Sequence, residues 1–166
     1  MPEIIPLPDG RNEEARLAIY KVAHQMFESH LTLAEAVELF RKEWPIHDMD
    51  DPQRSYFENG GTFLVVVDGE EIVGTGGLRC MQEGVGEIKR LWLLPGYHGQ
   101  GWGYRVMQQL LAEARHRGYA KVRLATSPKY QQRAFDFYCR LGFYEIPRYN
   151  DAPDDIAWEG ARRYPG

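Results

Sequence analysis

The feature that most constrains this chain is a change of pattern near its middle. Strand-forming residues run to Pro95, a glycine-rich loop follows at His98-Gly99-Gln100-Gly101-Trp102-Gly103, and an amphipathic helix begins at once. Three glycines leave backbone N–H groups unshielded by side chains where a helix starts. Orphan donors and the positive end of the helix dipole then point the same way, which attracts anions. Spelling excludes two well-known phosphate loops. A P-loop needs Gly-x-x-x-x-Gly-Lys-Ser/Thr, and no lysine follows Gly103; a dinucleotide fingerprint needs a third glycine that Tyr104 to Met107 do not supply. On the loop alone, anion binding and a purely structural turn both stay open.

The pattern on either side predicts the architecture. Leu17, Tyr20, Val22, Ala23 and Phe27 recur at helical spacing after a short extended start at Glu3-Ile4-Ile5. Thr32-Leu33-Ala34-Glu35 reads as a capping box opening a second helix, with Leu33, Val37, Phe40 and Trp44 inward and Pro45 as its stop. Thr62 to Val67, Ile72 to Gly74 and Gly86 to Leu94 read as three short strands joined by turns at Asp68-Gly69 and Glu83-Gly84, an antiparallel meander. The helix after the loop turns Val106, Met107, Leu110, Leu111 and Ala114 inward and ends at Gly118. Val122 and Leu124 mark a strand, and Ala134, Phe137, Tyr138 and Leu141 mark a last helix. Phe143 to Ile146 mark another strand, and Ile156 to Trp158 a final one at the sheet edge. This order predicts an α+β fold: one mixed, mostly antiparallel twisted sheet of six to seven strands with helices on both faces.

Composition narrows the class. The chain has 166 residues, which suits a single domain over 1–166, and 43% apolar with 27% charged residues excludes a disordered or collagen-like chain. A formal charge of −4 offers no global basic field for nucleic acid, and leans toward a cationic small partner. No apolar run approaches a membrane span, and Met1 to Gly10 lack the regions of a signal peptide. Two cysteines, Cys80 and Cys139, cannot form a zinc quartet and suit a reducing compartment. The expectation is a cytoplasmic protein without nucleic-acid or membrane partners and without a metal. His47-Asp48-Met49-Asp50-Asp51 has metal-ligand residue types but no fixed spacing to further ligands, so it reads as a solvated loop with helix caps.

Two stretches, in order, resemble one family. Glu87-Ile88-Lys89-Arg90-Leu91-Trp92-Leu93-Leu94-Pro95-Gly96-Tyr97-His98-Gly99-Gln100-Gly101-Trp102-Gly103 looks like the fourth strand and pyrophosphate loop of the GNAT superfamily of acyl-CoA-dependent N-acyltransferases. Gln131 to Phe143, with Tyr138-x-x-x-Gly142-Phe143, looks like its second motif. The resemblance covers Thr62 to about Tyr144 and implies the GNAT acyltransferase fold. Its acetyl-CoA-binding core would span about 62–146, with the two early helices, about 12–44, on the acceptor side. His98 stands where the family has a longer Arg or Gln, and Gln131 where it often has Asn.

The resemblance also implies roles. The fourth strand would bulge away from the fifth, and acetyl-CoA would pair its pantetheine arm with Leu91, Trp92 and Leu93. Its pyrophosphate would meet His98, Gly99, Gln100, Gly101, Trp102, Gly103 and Tyr104, with Gln131, Arg133 and Ala134 nearby and Arg133 or Lys129 near the 3′-phosphate. A lysine-like amine with a pKa of about 10.4 is neutral in only roughly one molecule in a few thousand at pH 7, so a base helps. Glu87 is the first candidate, its alternative being a surface residue paired with Lys89. Tyr138 falls at the family's general acid, beside the departing sulfur, its alternative being core packing with Ala134 and Leu141. The implied reaction is transfer of acetyl from acetyl-CoA to a primary amine, small-molecule or peptide, by direct attack in a ternary complex. Rival readings are a non-catalytic acyl-CoA sensor and an unrelated phosphate-binding interaction domain. Nothing in the sequence selects the acceptor, and the family's frequent homodimers leave that state open.

Overall fold

The computed structural model describes residues 1–126, 131–147, 149 and 156–161, with the side chains of 126, 131–135, 156 and 161 outside the description. Helix α1 spans Asn12–Phe27 and α2 Leu33–Glu43; α3 spans Trp102–His116 and α4 Gln131–Arg140. The strands are β1 Glu3–Pro6, β2 Thr62–Asp68, β3 Glu71–Gln82, β4 Val85–Leu93, β5 Lys121–Thr126, β6 Tyr144–Ile146 and β7 Ile156–Ala161. They form one seven-stranded sheet in the order β1-β2-β3-β4-β5-β7-β6. All neighbours are antiparallel except β4 and β5, which run parallel. The expected α+β sheet is therefore present, with an apolar core on each face. One core joins Val106, Met107, Leu110 and Leu111 of α3, Tyr138 of α4 and Leu141 just after it to the sheet. The other joins Ile19, Tyr20 and Ala23 of α1 and Ala36 and Phe40 of α2 to the opposite face.

Three expectations need correction. β3 is a twelve-residue strand, not a short one. Gly74, Gly76 and Gly77 weaken its strand propensity, but they are where the two cores press against the backbone. A Cβ on Gly76 would lie 2.7 Å from Val106 Cγ1, and one on Gly77 2.6 Å from Tyr56 Cε1. β7 is not an edge strand: it lies between β5 and β6, and β6 takes the edge. Strand order in space depends on contacts remote in sequence, so local pattern does not reveal it. In α2, Ala36 and Phe40 are the buried residues, while Leu33 is 37% exposed. The capping box itself is formed: Thr32 Oγ1 accepts from Glu35 N–H at 3.2 Å, and Glu35 Oε1 accepts from Thr32 N–H at 3.0 Å.

Candidate active site

The site begins where the sheet opens. β4 and β5 are paired only at Val85–Lys121, Gly86–Val122 and Glu87–Arg123. Beyond that point β5 continues beside β7 alone, so the edge of β4 from Ile88 onward has no strand partner on the β5 side among the described residues. On its other edge β4 is kinked. Gly77 faces Lys89 and Thr75 faces Trp92, so Arg90 and Leu91 together oppose the single residue Gly76. Arg90 sits at φ 56°, a left-handed conformation that costs a side-chain-bearing residue about 1–2 kcal/mol.

A side-chain network far apart in sequence holds this kink. Arg90 Nη2 donates to Asp48 Oδ1 at 2.6 Å and Nε to Asp48 Oδ2 at 3.0 Å, a two-pronged pair. The Tyr56 hydroxyl donates to the same carboxylate, and Thr75 Oγ1 donates to the Arg90 carbonyl at 2.6 Å. The paired side chains are 15% and 10% exposed. Burial alone would raise the Asp48 pKa, but the Arg90 guanidinium and the Tyr56 hydroxyl override it and hold the carboxyl at about 2. The reading of residues 47–51 as a solvated loop is thus wrong for Asp48 and for Met49, which is fully buried. One carboxylate among three in a polar stretch carries no local sign of a partner forty-two positions away. Trp44 and Trp92 meet beside the network with ring centroids 5.7 Å apart, and Arg90 lies 5.8 Å over the Trp44 ring.

At the far end of β4 the glycine loop is held and then left open. Tyr97 donates to Asp68 Oδ2 at 2.6 Å, tying the loop to β2. Gly101, at φ 87°, is the N-cap of α3 and no side chain caps the helix there. The first bond of the helix runs from Arg105 N–H to the Gly101 carbonyl at 3.0 Å, so Trp102, Gly103 and Tyr104 donors lack intrahelical partners. A Cβ on Gly99, Gly101 or Gly103 would meet nothing within 4 Å. Space and donors therefore coincide, which fits a nucleotide pyrophosphate.

Individual side chains of the loop divide. Tyr104 is 42% exposed, while Trp102 is 6% exposed and belongs to the core below α3, with Arg105 stacked 4.4 Å over its ring. Its backbone amide lacks an intrahelical partner, while its indole packs in the core. His98 Nε2 lies 2.8 Å from the Leu93 carbonyl. A carbonyl only accepts, so this nitrogen carries a proton and is directed back at β4 instead of outward. Gln100 Nε2 donates to the Gly96 carbonyl at 3.2 Å. Gln131, Arg133 and Ala134 stand in the first turn of α4, their side chains outside the described set, and Lys129 lies outside the described residues.

The two candidate catalytic residues occupy different surroundings. Tyr138 is 7% exposed, with its ring against Phe137, Phe143 and Trp158 at centroid distances of 5.3, 6.1 and 5.6 Å. Burial pushes its phenol well above the ordinary tyrosine range, so the hydroxyl stays protonated at neutral pH and has a proton to donate. Glu87 pairs with Arg79 across the strands, Nε to Oε1 at 2.9 Å, and not with Lys89. It is one member of a row of alternating charge across four strands: Arg79, Glu87, Arg123 and Glu159. Arg123 Nε donates to Glu159 Oε1 at 2.8 Å, and the Tyr144 hydroxyl donates to the same carboxylate. Above this row the Tyr149 hydroxyl is buried without a well-formed hydrogen bond among the described residues. Burial, and then the negative charge of Glu87 beside it, push its phenol up. Among the described residues no cluster of His, Cys, Asp and Glu is arranged to hold a metal ion, and no helix is long and apolar enough to cross a membrane. Cys80 and Cys139 are both free, and Cys139 is exposed.

A mixed sheet that splays between its fourth and fifth strands, with an uncapped helix at the mouth, is the GNAT type of acyltransferase fold. The chain belongs to the acetyltransferase (GNAT) family, whose family model matches residues 24–143. An uncharacterized N-acetyltransferase of Mycobacterium tuberculosis is 44% identical over 57 residues, which cover 34% of this chain and 36% of that relative. Among solved structures, a GNAT-family acetyltransferase of Staphylococcus aureus superposes with a TM-score of 0.81 at 20% identity, covering 98% of this chain and 100% of its own. The PaiA N-acetyltransferase of Thermoplasma acidophilum, solved in complex with coenzyme A, gives 0.71 at 17% identity, covering 97% and 99%. At such identities the superpositions establish the fold.

Proposed function

We propose that this protein transfers an acetyl group from acetyl-CoA to a primary amine by direct attack in a ternary complex. The observation that carries the reading is the parting of β4 from β5 after Glu87 and Arg123, opposite the uncapped start of α3. Acetyl-CoA supplies a thioester whose acyl carbon accepts the amine. The chain's own groups do the rest. The unpaired edge of β4 at Leu91 to Leu93 offers backbone groups to an extended arm, in the manner of an added strand. The free donors of Trp102, Gly103 and Tyr104 hold a pyrophosphate. Glu87, kept in place by Arg79, takes a proton from the ammonium directly or through a water, so that a lone pair becomes available. Tyr138 donates a hydrogen bond to the departing sulfur; its raised pKa makes complete proton transfer costly, so its contribution is stabilisation of developing charge.

Thermal unfolding with and without coenzyme A tests the first half of this reading. Saturation at one hundred times the dissociation constant adds about 2.7 kcal/mol, or roughly 5–10 °C for a chain of this size. An unmoved midpoint overturns the assignment. Release of free thiol in the presence of amines tests the second half, and coenzyme A binding with no transfer to any amine would make the protein a sensor instead of a catalyst.

A further inference from the structure

The face of the sheet that carries Glu87 also carries an excess of positive charge that is local and specific. In the row across β3, β4, β5 and β7, Arg79 and Arg123 are matched by Glu87 and Glu159. On the adjoining kink Arg90 is matched by Asp48. Lys89 lies between these two neutral sets, two residues along β4 from Glu87 and therefore on the same face. It is half-buried, and among the described residues it has no ion pair. Lys121 adds a further cation at the rim, 3.5 Å from a Glu159 that Arg123 already engages. A half-buried ammonium without an ion pair is unfavourable, and burial with the nearby Arg90 lowers the pKa of Lys89 against the opposing pull of Glu87 and Asp48. A ligand that brings a negative charge removes that penalty.

Resting on the transferase reading above, we propose that the acceptor carries an anionic group close to its amine, as a free amino acid does, and that Lys89 binds that group. The amine is then directed to Glu87. Alternate residues of a strand are about 7 Å apart, and a lysine side chain reaches across that distance. The enclosed Tyr149 hydroxyl beside Glu87 has a donor to offer the same ligand. This inverts the expectation from net charge: the total of −4 favours a cation, but what a substrate meets is the charge of the cleft. A polyamine would bring only positive charge to Lys89.

The test uses the whole chain, acetyl-CoA and a panel of free L-amino acids, each matched with its own carboxamide, together with spermidine. Thiol release gives kcat/KM for every acceptor. The acids are expected to exceed their amides by at least about tenfold, with the difference in KM. The carboxamides have the less basic amines and more of the reactive neutral form, so intrinsic reactivity works against this result. Lys89→Met should bring the acid-to-amide ratio to within about twofold of unity, and Lys89→Arg should keep the preference. Amides or spermidine equal to the acids in the unmodified protein would overturn the proposal, whatever the variants do. So would an unchanged ratio in Lys89→Met, or failure to acetylate any member of the panel while coenzyme A still raises the melting midpoint. Loss of that thermal shift would overturn the transferase reading as well.

Discussion

The start of α3 and the kink of β4 lie on either side of the turn that leaves the sheet, and they are built on opposite principles. At α3 the chain leaves backbone donors open: no side chain caps the helix, and glycines keep the approach clear. At the kink the chain closes every group on another. Arg90 is held by Asp48, Asp48 also by Tyr56, and the strained carbonyl by Thr75. The first region leaves donors and space that the proposed function fills with a pyrophosphate, and the second is a brace that keeps the strand in a shape it would not choose alone. The contrast is sharpened by α2, whose orphan donors meet the same problem as those of α3 and are satisfied internally by Thr32 and Glu35.

Breaking the brace should have the largest effect. Asp48→Asn strands a buried guanidinium and should cost about 3–5 kcal/mol, lowering the melting midpoint by roughly 6–20 °C. Because the folded-state pKa of Asp48, about 2, lies below its unfolded value, its contribution is complete at neutral pH. The stability difference between wild type and Asp48→Asn should therefore hold down to about pH 4 and shrink as the pH falls toward 2. Denaturant melts across that range check the sign.

Tyr138→Phe separates binding from chemistry. Turnover should fall by about a hundredfold, while the thermal shift with coenzyme A persists. Equal turnover would return Tyr138 to a packing role among Phe143 and Trp158.

Smaller effects are expected at the receptor end, where no packing is at stake. Gly101→Ala must hold φ 87° and should cost about 1–2 kcal/mol, with weaker coenzyme A binding by calorimetry. Gly103→Ala has open space and no positive φ, so it should stabilise α3 by about 0.5–1 kcal/mol. Thr32→Ala, at the closed helix start, should cost about 1 kcal/mol in stability and leave coenzyme A affinity within error.

The asymmetry also explains what could be read in advance. The glycine loop, the α3 face and the capping box of α2 were legible because each depends on residues within a few positions of one another. The sequence offers His98 as a phosphate donor, and only the folded loop shows its Nε2 turned toward Leu93. Glu87 is marked by its position at the start of β4, while its partner Arg79 sits eight residues away across a hairpin whose register must first form. In the sequence Lys89 is only a neighbour of Glu87, since a lysine on a strand carries no sign of burial.

The sequence alone determined the local elements and the open backbone at Gly99 to Tyr104, because helix caps, turns and hydrophobic periods act over short spans. Tertiary structure decided that β7 enters the sheet inside β6, that Asp48 crosses the fold to Arg90, and that Lys89 is half-buried without an ion pair among the described residues. Those outcomes rest on which distant groups burial brings together, and on electrostatic terms that become large only once water has been excluded between them.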